Sequence, residues 1–337
     1  MRSGNPSSPH AEGRAARAGL DRARDSAAAT VGASRHEVTF VSSGTEAVNL
    51  ALFGVGGPLV TWAAEHQSVL GAARRMQALG RDVVIAPVDG NARVDPGAIT
   101  RGTGLVSVGL ANNEVGTVQP VDEVIDRAHQ VGALVHVDAC AGPRWIPIPE
   151  RADLVSFSGH KLGAGRGGLL FVRDGVRIEP LLYGGPQEYG RRAGNEDVLA
   201  ATAMAVALTV SCSPQREARA RQAERQAAAL QAAMLDLGGT PAGDARRLPN
   251  FATCAFGDRR GEDMLLALDI AGVAASSGSA CASGSLDPSH VLLAMGLDLD
   301  HALGSLRLTT GYTTTDEDIS CAIEILHRVL NRAIARA

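Results

Sequence analysis

The chain has 337 residues, of which 45% are hydrophobic and 20% charged, and a formal net charge of -4. That length suits two domains with ample core. The mild charge gives no reason to expect a polyanionic partner, and an aromatic content of 3% argues against a base-stacking surface. No apolar run reaches the roughly eighteen residues of a membrane span, and Met1-Arg2-Ser3-Gly4-Asn5-Pro6 lacks the apolar core of a secretory signal. A cytoplasmic protein is expected, with no membrane and no direct nucleic-acid partner.

Residues 1–9, with two prolines and three serines, predict an irregular arm, and His10 to Val31, rich in alanine and arginine, predicts a helix whose arginines form a solvated face. Val38 to Val41 reads as a short strand. Ser42-Ser43-Gly44-Thr45-Glu46-Ala47 then leads into an apolar helix, Val48 to Phe53. Strand, small polar residues, helix start is the geometry that offers free backbone N–H groups to an anion, so Gly44 and Thr45 are candidates for a phosphate. Taken alone, a serine or threonine there is more often only an N-cap.

Strands at Leu59 to Trp62, Val83 to Ala86 and Leu105 to Gly109 alternate with helices at about Ser68 to Leu79 and Val121 to Val131. This alternation predicts a mainly parallel sheet covered on both faces. No G-x-G-x-x-G follows the first strand, which disfavours a dinucleotide fold.

Two further strands end abruptly in polar residues: Leu134-Val135-His136-Val137-Asp138 and Val155-Ser156-Phe157-Ser158-Gly159-His160-Lys161. Ligands of open α/β sheets sit outside the carboxyl ends of such strands. One strand would deliver a carboxylate there, the other a lysine with Ser158 and His160 beside it. Pyridoxal phosphate chemistry needs that pair: a lysine holds the aldehyde as a Schiff base and a carboxylate keeps the pyridine nitrogen protonated. The plainer reading makes Lys161 a surface lysine and Asp138 a helix cap. His136, Asp138 and Cys140 alternate along one strand and share a face, but no fourth ligand is evident and no metal is assigned.

Beyond Lys161, a glycine-rich turn leads to a strand at Leu169 to Val172. A long polar loop, residues 184–197, precedes a helix at Val198 to Val210, and loops of that length are usually functional or interfacial. Pro214 to Leu237 predicts an exposed helix. Strands at Phe251 to Phe256 and Leu306 to Thr309, with helices at Glu262 to Ile270 and Asp316 to Ile334, suit a smaller α+β unit. The cysteines, Cys140, Cys212, Cys254, Cys281 and Cys321, are widely spaced and odd in number, so neither a disulfide framework nor a zinc site is suggested. Cys281 lies among serines, glycines and alanines in a segment that reads as a polar loop.

Seven stretches together resemble the cysteine desulfurases, the NifS/IscS-like group of the class V aminotransferase superfamily. They are Gly4-Asn5-Pro6-Ser7-Ser8, Ser43-Gly44-Thr45-Glu46-Ala47, Glu65-His66-Gln67-Ser68-Val69, Asn112-Asn113-Glu114-Val115-Gly116-Thr117, Ser156-Phe157-Ser158-Gly159-His160-Lys161, Ser276-Ser277-Gly278-Ser279-Ala280-Cys281 and Ser305-Leu306-Arg307, in the family's order. The resemblance implies an α/β fold of the pyridoxal-phosphate fold type I: a large domain (10–208) with a mixed, mostly parallel seven-stranded sheet, a smaller α+β domain (209–337, with the arm 1–9), and a homodimer.

It also implies roles. Lys161 would bind the cofactor and move protons, Asp138 would pair with the pyridine nitrogen, and His66 would lie over the ring and act as acid or base. Gly44, Thr45, Ser158 and His160 would hold the phosphate, joined by Asn195 from the neighbouring subunit. Arg307 and Asn113 would grip the substrate α-carboxylate, with Asn5 nearby. L-cysteine would become L-alanine, its sulfur passing to Cys281 as a persulfide and then to an acceptor protein. Iron–sulfur cluster biosynthesis, tRNA thiolation, DNA phosphorothioation and sulfur-containing metabolites all draw on that chemistry. The other four cysteines are left as structural.

The chain departs from the family pattern in three places. An Asn-Ala-Thr-Thr-Pro segment usually precedes the Gly4-Asn5-Pro6 motif. Ala141 stands where glutamine usually touches the cofactor's phenolic oxygen, so that contact is absent or comes from another group. Asn195 replaces a threonine but can still donate a hydrogen bond. The departures keep two alternatives open: a C–S lyase or aminotransferase on the same scaffold, or an inactive cofactor-binding scaffold for sulfur-relay partners.

Overall fold

A computed structural model describes residues 4–278 and 287–334. After the arm, α1 (Ala11–Thr30) leads to β1 (Val38–Val41), α2 (Gly44–Gly54), β2 (Leu59–Trp62), α3 (Gln67–Ala78) and β3 (Val83–Ala86). The alternation continues through β4 (Leu105–Gly109), α4 (Val121–Gln130), β5 (Leu134–Asp138), β6 (Leu154–Ser158), the single turn α5 (Gly159–Leu162) and β7 (Gly168–Val172).

These strands form one seven-stranded sheet in the order β1-β7-β6-β5-β4-β2-β3. Only β7 runs against its neighbours, so the sheet is mixed but mostly parallel. Most strands are buried because both faces are covered, whereas the edge strand β3 leaves Val84 exposed. On one face Leu20 and Ala27 of α1, Ile125 of α4 and Met204 and Leu208 of α6 (Val198–Ser211) pack over Phe40, Trp62 and Val137. On the other, Val48 and Leu52 of α2 and Val69 and Met76 of α3 pack over Leu59, Leu105 and Leu170.

A second core surrounds a three-stranded antiparallel sheet. After α7 (Arg216–Asp236) come β8 (Thr240–Pro241), β9 (Phe251–Ala255), α8 (Gly261–Ile270), α9 (His290–Ala294), α10 (Leu299–Leu303), β10 (Ser305–Thr309) and α11 (Asp316–Ile334), with the strands ordered β10-β9-β8. Leu230 and Met234 of α7, Met264 and Leu268 of α8 and Leu326 of α11 close over Cys254 and Leu306. Among the described residues no single helix is long and apolar enough to cross a membrane.

The arginines of α1 are not all solvated, contrary to expectation. Arg24 is buried and bonds Glu188 through both terminal nitrogens, at 2.8 and 2.5 Å, while the Phe40 N–H also donates to Glu188 at 2.8 Å. Glu188 and its neighbour Tyr189 hold left-handed backbone, φ 49° and 59°, which non-glycine residues adopt only when their surroundings enforce it.

Candidate active site

Strands β1, β2, β4, β5 and β6 point the same way, and the residues at their carboxyl ends line one pocket. It is bounded by Ser43, Gly44 and Thr45 after β1, Glu65, His66 and Ser68 after β2, Gly109 at the end of β4, Asp138, Cys140 and Ala141 at and after β5, and Ser158 and Lys161 at the end of β6 and in α5. Asn112 and Asn113 complete its wall. The sequence-predicted residues Gly44, Thr45, His66, Asn113, Asp138, Ser158 and Lys161 are thereby brought together.

Asp138 is buried, and its Oδ1 accepts from Ser156 Oγ at 3.1 Å and from the Cys140 N–H at 3.0 Å. Burial alone would raise its pKa; hydrogen bonds from Cys140 and the facing His136 and His66 outweigh that and hold the carboxyl below its ordinary value. It is therefore an anion facing the pocket. Cys140 responds oppositely, since burial and the adjacent Asp138 push its thiol well above the usual range and keep it protonated.

His66 caps α3: its Nδ1 accepts from the Ser68 N–H at 3.1 Å. A ring nitrogen that accepts carries no proton, so Nε2 bears it in the neutral ring. Burial lowers the pKa of His66, which keeps the ring neutral near pH 7. The capping role and a role in the pocket are compatible, because they use different nitrogens.

At the start of α2, Ser43 Oγ accepts from the Glu46 N–H, which leaves the amides of Gly44 and Thr45 without partners inside the helix. A Cβ on Gly44 would stand 2.6 Å from Cys140 Sγ and 2.9 Å from Ser158 Cβ, so only glycine fits there. Ser158 makes no capping bond with its side chain at the start of α5, and Gly163, at φ 86°, ends that turn in left-handed backbone. Backbone amides, a hydroxyl and a lysine around an anionic aspartate are a donor set that fits a phosphorylated pyridine aldehyde.

Arg307 lines an adjoining cavity that shares Asn113, Cys140, Ala141 and Lys161 with the first. Its Nη1 donates to the Asn113 carbonyl at 2.6 Å and its Nη2 to Ser276 Oγ at 2.9 Å. Asn195 is exposed and lines a separate cavity with Arg192 and Glu196. His160 is exposed beside Lys161. Asn5 lies in an exposed turn before α1, its Oδ1 accepting from the Ser7 N–H; it lines none of these three cavities. Cys281 falls outside the described residues.

Glu65, Ser68 and Cys140 also line the pocket, beyond the residues expected there. Glu65 and Ser68 flank His66 in a stretch already singled out, so adjacency was an available signal. Cys140 stands two residues past Asp138, where its membership in the pocket depends on the turn after β5.

The fold and pocket have the form of a fold type I enzyme. The class-V aminotransferase family model matches residues 2–321, and enzymes of that family depend on pyridoxal phosphate. The cysteine desulfurase IscS of Dictyoglomus turgidum is 36% identical over 346 residues, covering 98% of this chain and 88% of the relative. A solved NifS-like protein superposes with a TM-score of 0.89 at 30% identity, covering 98% of this chain and 92% of that one. A structure of SspA in complex with cysteine has a TM-score of 0.79 at 28% identity, covering 93% and 92%. The chain belongs to the cysteine desulfurases of the class-V aminotransferase family.

Proposed function

We propose that this protein, in the cytoplasm, converts L-cysteine to L-alanine with pyridoxal 5'-phosphate and passes the sulfur, as a persulfide on Cys281, to an acceptor protein. The observation that carries the proposal is the convergence of Lys161, anionic Asp138 and the Gly44–Thr45 cradle in one pocket. When bound, the cofactor supplies an electron sink that acidifies the substrate Cα–H.

The chain's own groups do the rest. Lys161 holds the aldehyde carbon and moves the substrate proton at its Nζ. Asp138 keeps the ring nitrogen protonated, and His66 has Nε2–H left to give. Gly44, Thr45, Ser158 and His160 hold the phosphate, with Asn195 supplied by a second copy. Arg307 and Asn113 take the substrate carboxylate, where the planar guanidinium suits two oxygens.

The Cys281 thiolate attacks the substrate sulfur. A sulfur–sulfur bond forms as the carbon–sulfur bond breaks, and the electron pair left on carbon takes up a proton, giving alanine. Cys140 is a poor rival nucleophile, because its raised pKa keeps it a thiol.

A homodimer is part of the proposal. Exposed Leu181, Leu182 and Tyr183 beside the loop that carries Asn195, with Leu199 and Val206 on α6, support it. So is the division into domains 10–208 and 209–337 (with 1–9), which the separate cores support; α6 spans the boundary.

The test is alanine and sulfide release from L-cysteine with a reductant present. Cys281→Ala and Lys161→Ala should each abolish release, with only Lys161→Ala losing the bound cofactor's absorbance. Full activity in Cys281→Ala would replace this reading with a lyase or transaminase; Ala141, where the family has glutamine, lines both cavities. Cofactor binding without release in the wild type would point to a scaffold.

A further inference from the structure

Behind Asp138, away from the pocket, three fully buried polar side chains stand in a row across the sheet: Ser107 on β4, His136 on β5 and Ser156 on β6. Strand register brings them together, pairing Ser107 with His136 and Asp138 with Ser156. Ser107 Oγ lies 2.9 Å from His136 Nδ1, His136 Nε2 lies 3.1 Å from Ser156 Oγ, and Ser156 Oγ donates to Asp138 Oδ1 at 3.1 Å.

Proton counting orders this row. An ionised carboxylate only accepts, so the single Ser156 proton goes to Asp138. Ser156 must then accept from His136, which puts the histidine proton on Nε2. A neutral ring so protonated accepts at Nδ1, and Ser107 supplies that proton. Burial supports the neutral form, lowering His136 to about 4.

We propose that Ser107, His136 and Ser156 form a proton-ordered chain that positions the Asp138 carboxylate and, together with the Cys140 N–H, holds it anionic, making His136 and Ser156 positioning residues for the cofactor's ring nitrogen. The cofactor part of this inference rests on the function proposed above. A core histidine needs no such arrangement. Here each ring nitrogen is committed to a serine, and every hydroxyl proton points toward the carboxylate. The other groups facing Asp138 do not replace the chain. Glu65, after β2, is held protonated up to about 8 by burial. His66 is turned to Ser68, Lys161 of α5 belongs to the pocket, and Cys140 is a thiol whose backbone N–H is the second donor to Asp138 Oδ1, acting beside Ser156.

Two measurements test the proposal. In protein labelled with ¹⁵N-histidine, with and without added pyridoxal phosphate, His136 should be neutral and protonated at Nε2 at pH 7. An Nδ1–H tautomer or a charged ring overturns the chain. In the loaded enzyme, Ser156→Ala removes one of the two donors to Asp138 Oδ1 and leaves the Cys140 N–H. It should weaken cofactor retention about tenfold, the worth of one hydrogen bond to a charged group, and move the pH midpoint of the cofactor's absorption.

His136→Leu should match that effect, and His136→Gln, which restores an N–H toward Ser156, should recover most of it. Ser107→Ala, one link further away, should have the smallest effect. An unmoved midpoint in Ser156→Ala, even with lower melting temperature, or equal effects at Ser107 and Ser156, overturns the positioning role. A wild type that takes up no pyridoxal phosphate refutes the proposed function instead, while the histidine tautomer in the unloaded protein still decides the proton order.

Discussion

Glu65 is an acid that burial keeps protonated at the edge of the pocket, its Oε1 accepting from the Gly109 N–H at 3.0 Å. Its pKa is pushed up from 4.5 to about 8 by burial, with Asp138 nearby adding to the rise. The folded state therefore binds a proton that the unfolded chain releases above pH 4.5. The resulting stability is complete below that pH and is lost as pH rises toward 8, at about 1.4 kcal/mol per pH unit. Glu65→Gln keeps the neutral shape and should flatten this decline, as read from denaturant midpoints of the cofactor-free protein at pH 5 and pH 8. Parallel curves for variant and wild type would refute the assignment. Asp138 and Lys161 were legible in the sequence because each ends a strand-like run. The nearness of Glu65, two strands away, to Asp138 and the Ser107–His136–Ser156 row were not, since strand order brings the first about and strand register the second.

At the scale of elements, Gly168 decides how closely β7 approaches the turn between β1 and α2. A Cβ there would stand 2.4 Å from the Ser43 carbonyl carbon and 3.0 Å from the Gly44 nitrogen, both backbone atoms that cannot swing aside. Gly168→Ala should destabilise the protein by about 1–3 kcal/mol and weaken phosphate holding, because the turn it displaces carries Gly44 and Thr45. Gly71 in α3 is the control: nothing lies within 4 Å of its added Cβ, so Gly71→Ala should stabilise by roughly 0.5–1 kcal/mol. Urea titrations of both variants check the contrast, and an undisturbed Gly168→Ala would sink the claim. The long helices and the buried strands were readable from periodicity, with ends within a few residues of those observed. The two-residue β8 and the five-residue α9 and α10 were not, because elements that short complete too little of a period to show a pattern.

At the scale of the molecule, the pair of Arg24 and Glu188 ties α1 to the loop that carries Asn195. Both side chains are nearly fully buried, at 4% and 2% exposure, so removing one leaves an uncompensated charge in the interior. Arg24→Ala should cost about 3–5 kcal/mol, measured as a fall in the denaturant midpoint, and the left-handed backbone at Glu188 and Tyr189 should relax with it. A loss below about 1 kcal/mol would mean that Glu188 finds water or another partner. Nothing near Arg24 in the sequence marks it for burial, because its partner lies 164 residues away.

The antiparallel strand β7 has a consequence for synthesis. Val38 of β1 finds its ladder partner, Phe171, only when about half of the chain exists. Until then β1 has no neighbour in the sheet, and the glycine-lined wall after it is not held in place. Pairing so distant in sequence forms slowly, and an unpaired strand invites association with other chains. On the ribosome, therefore, the wall that carries Gly44 and Thr45 is fixed only after β7 has emerged, and a chain halted before Gly168 leaves β1 unpaired on both sides.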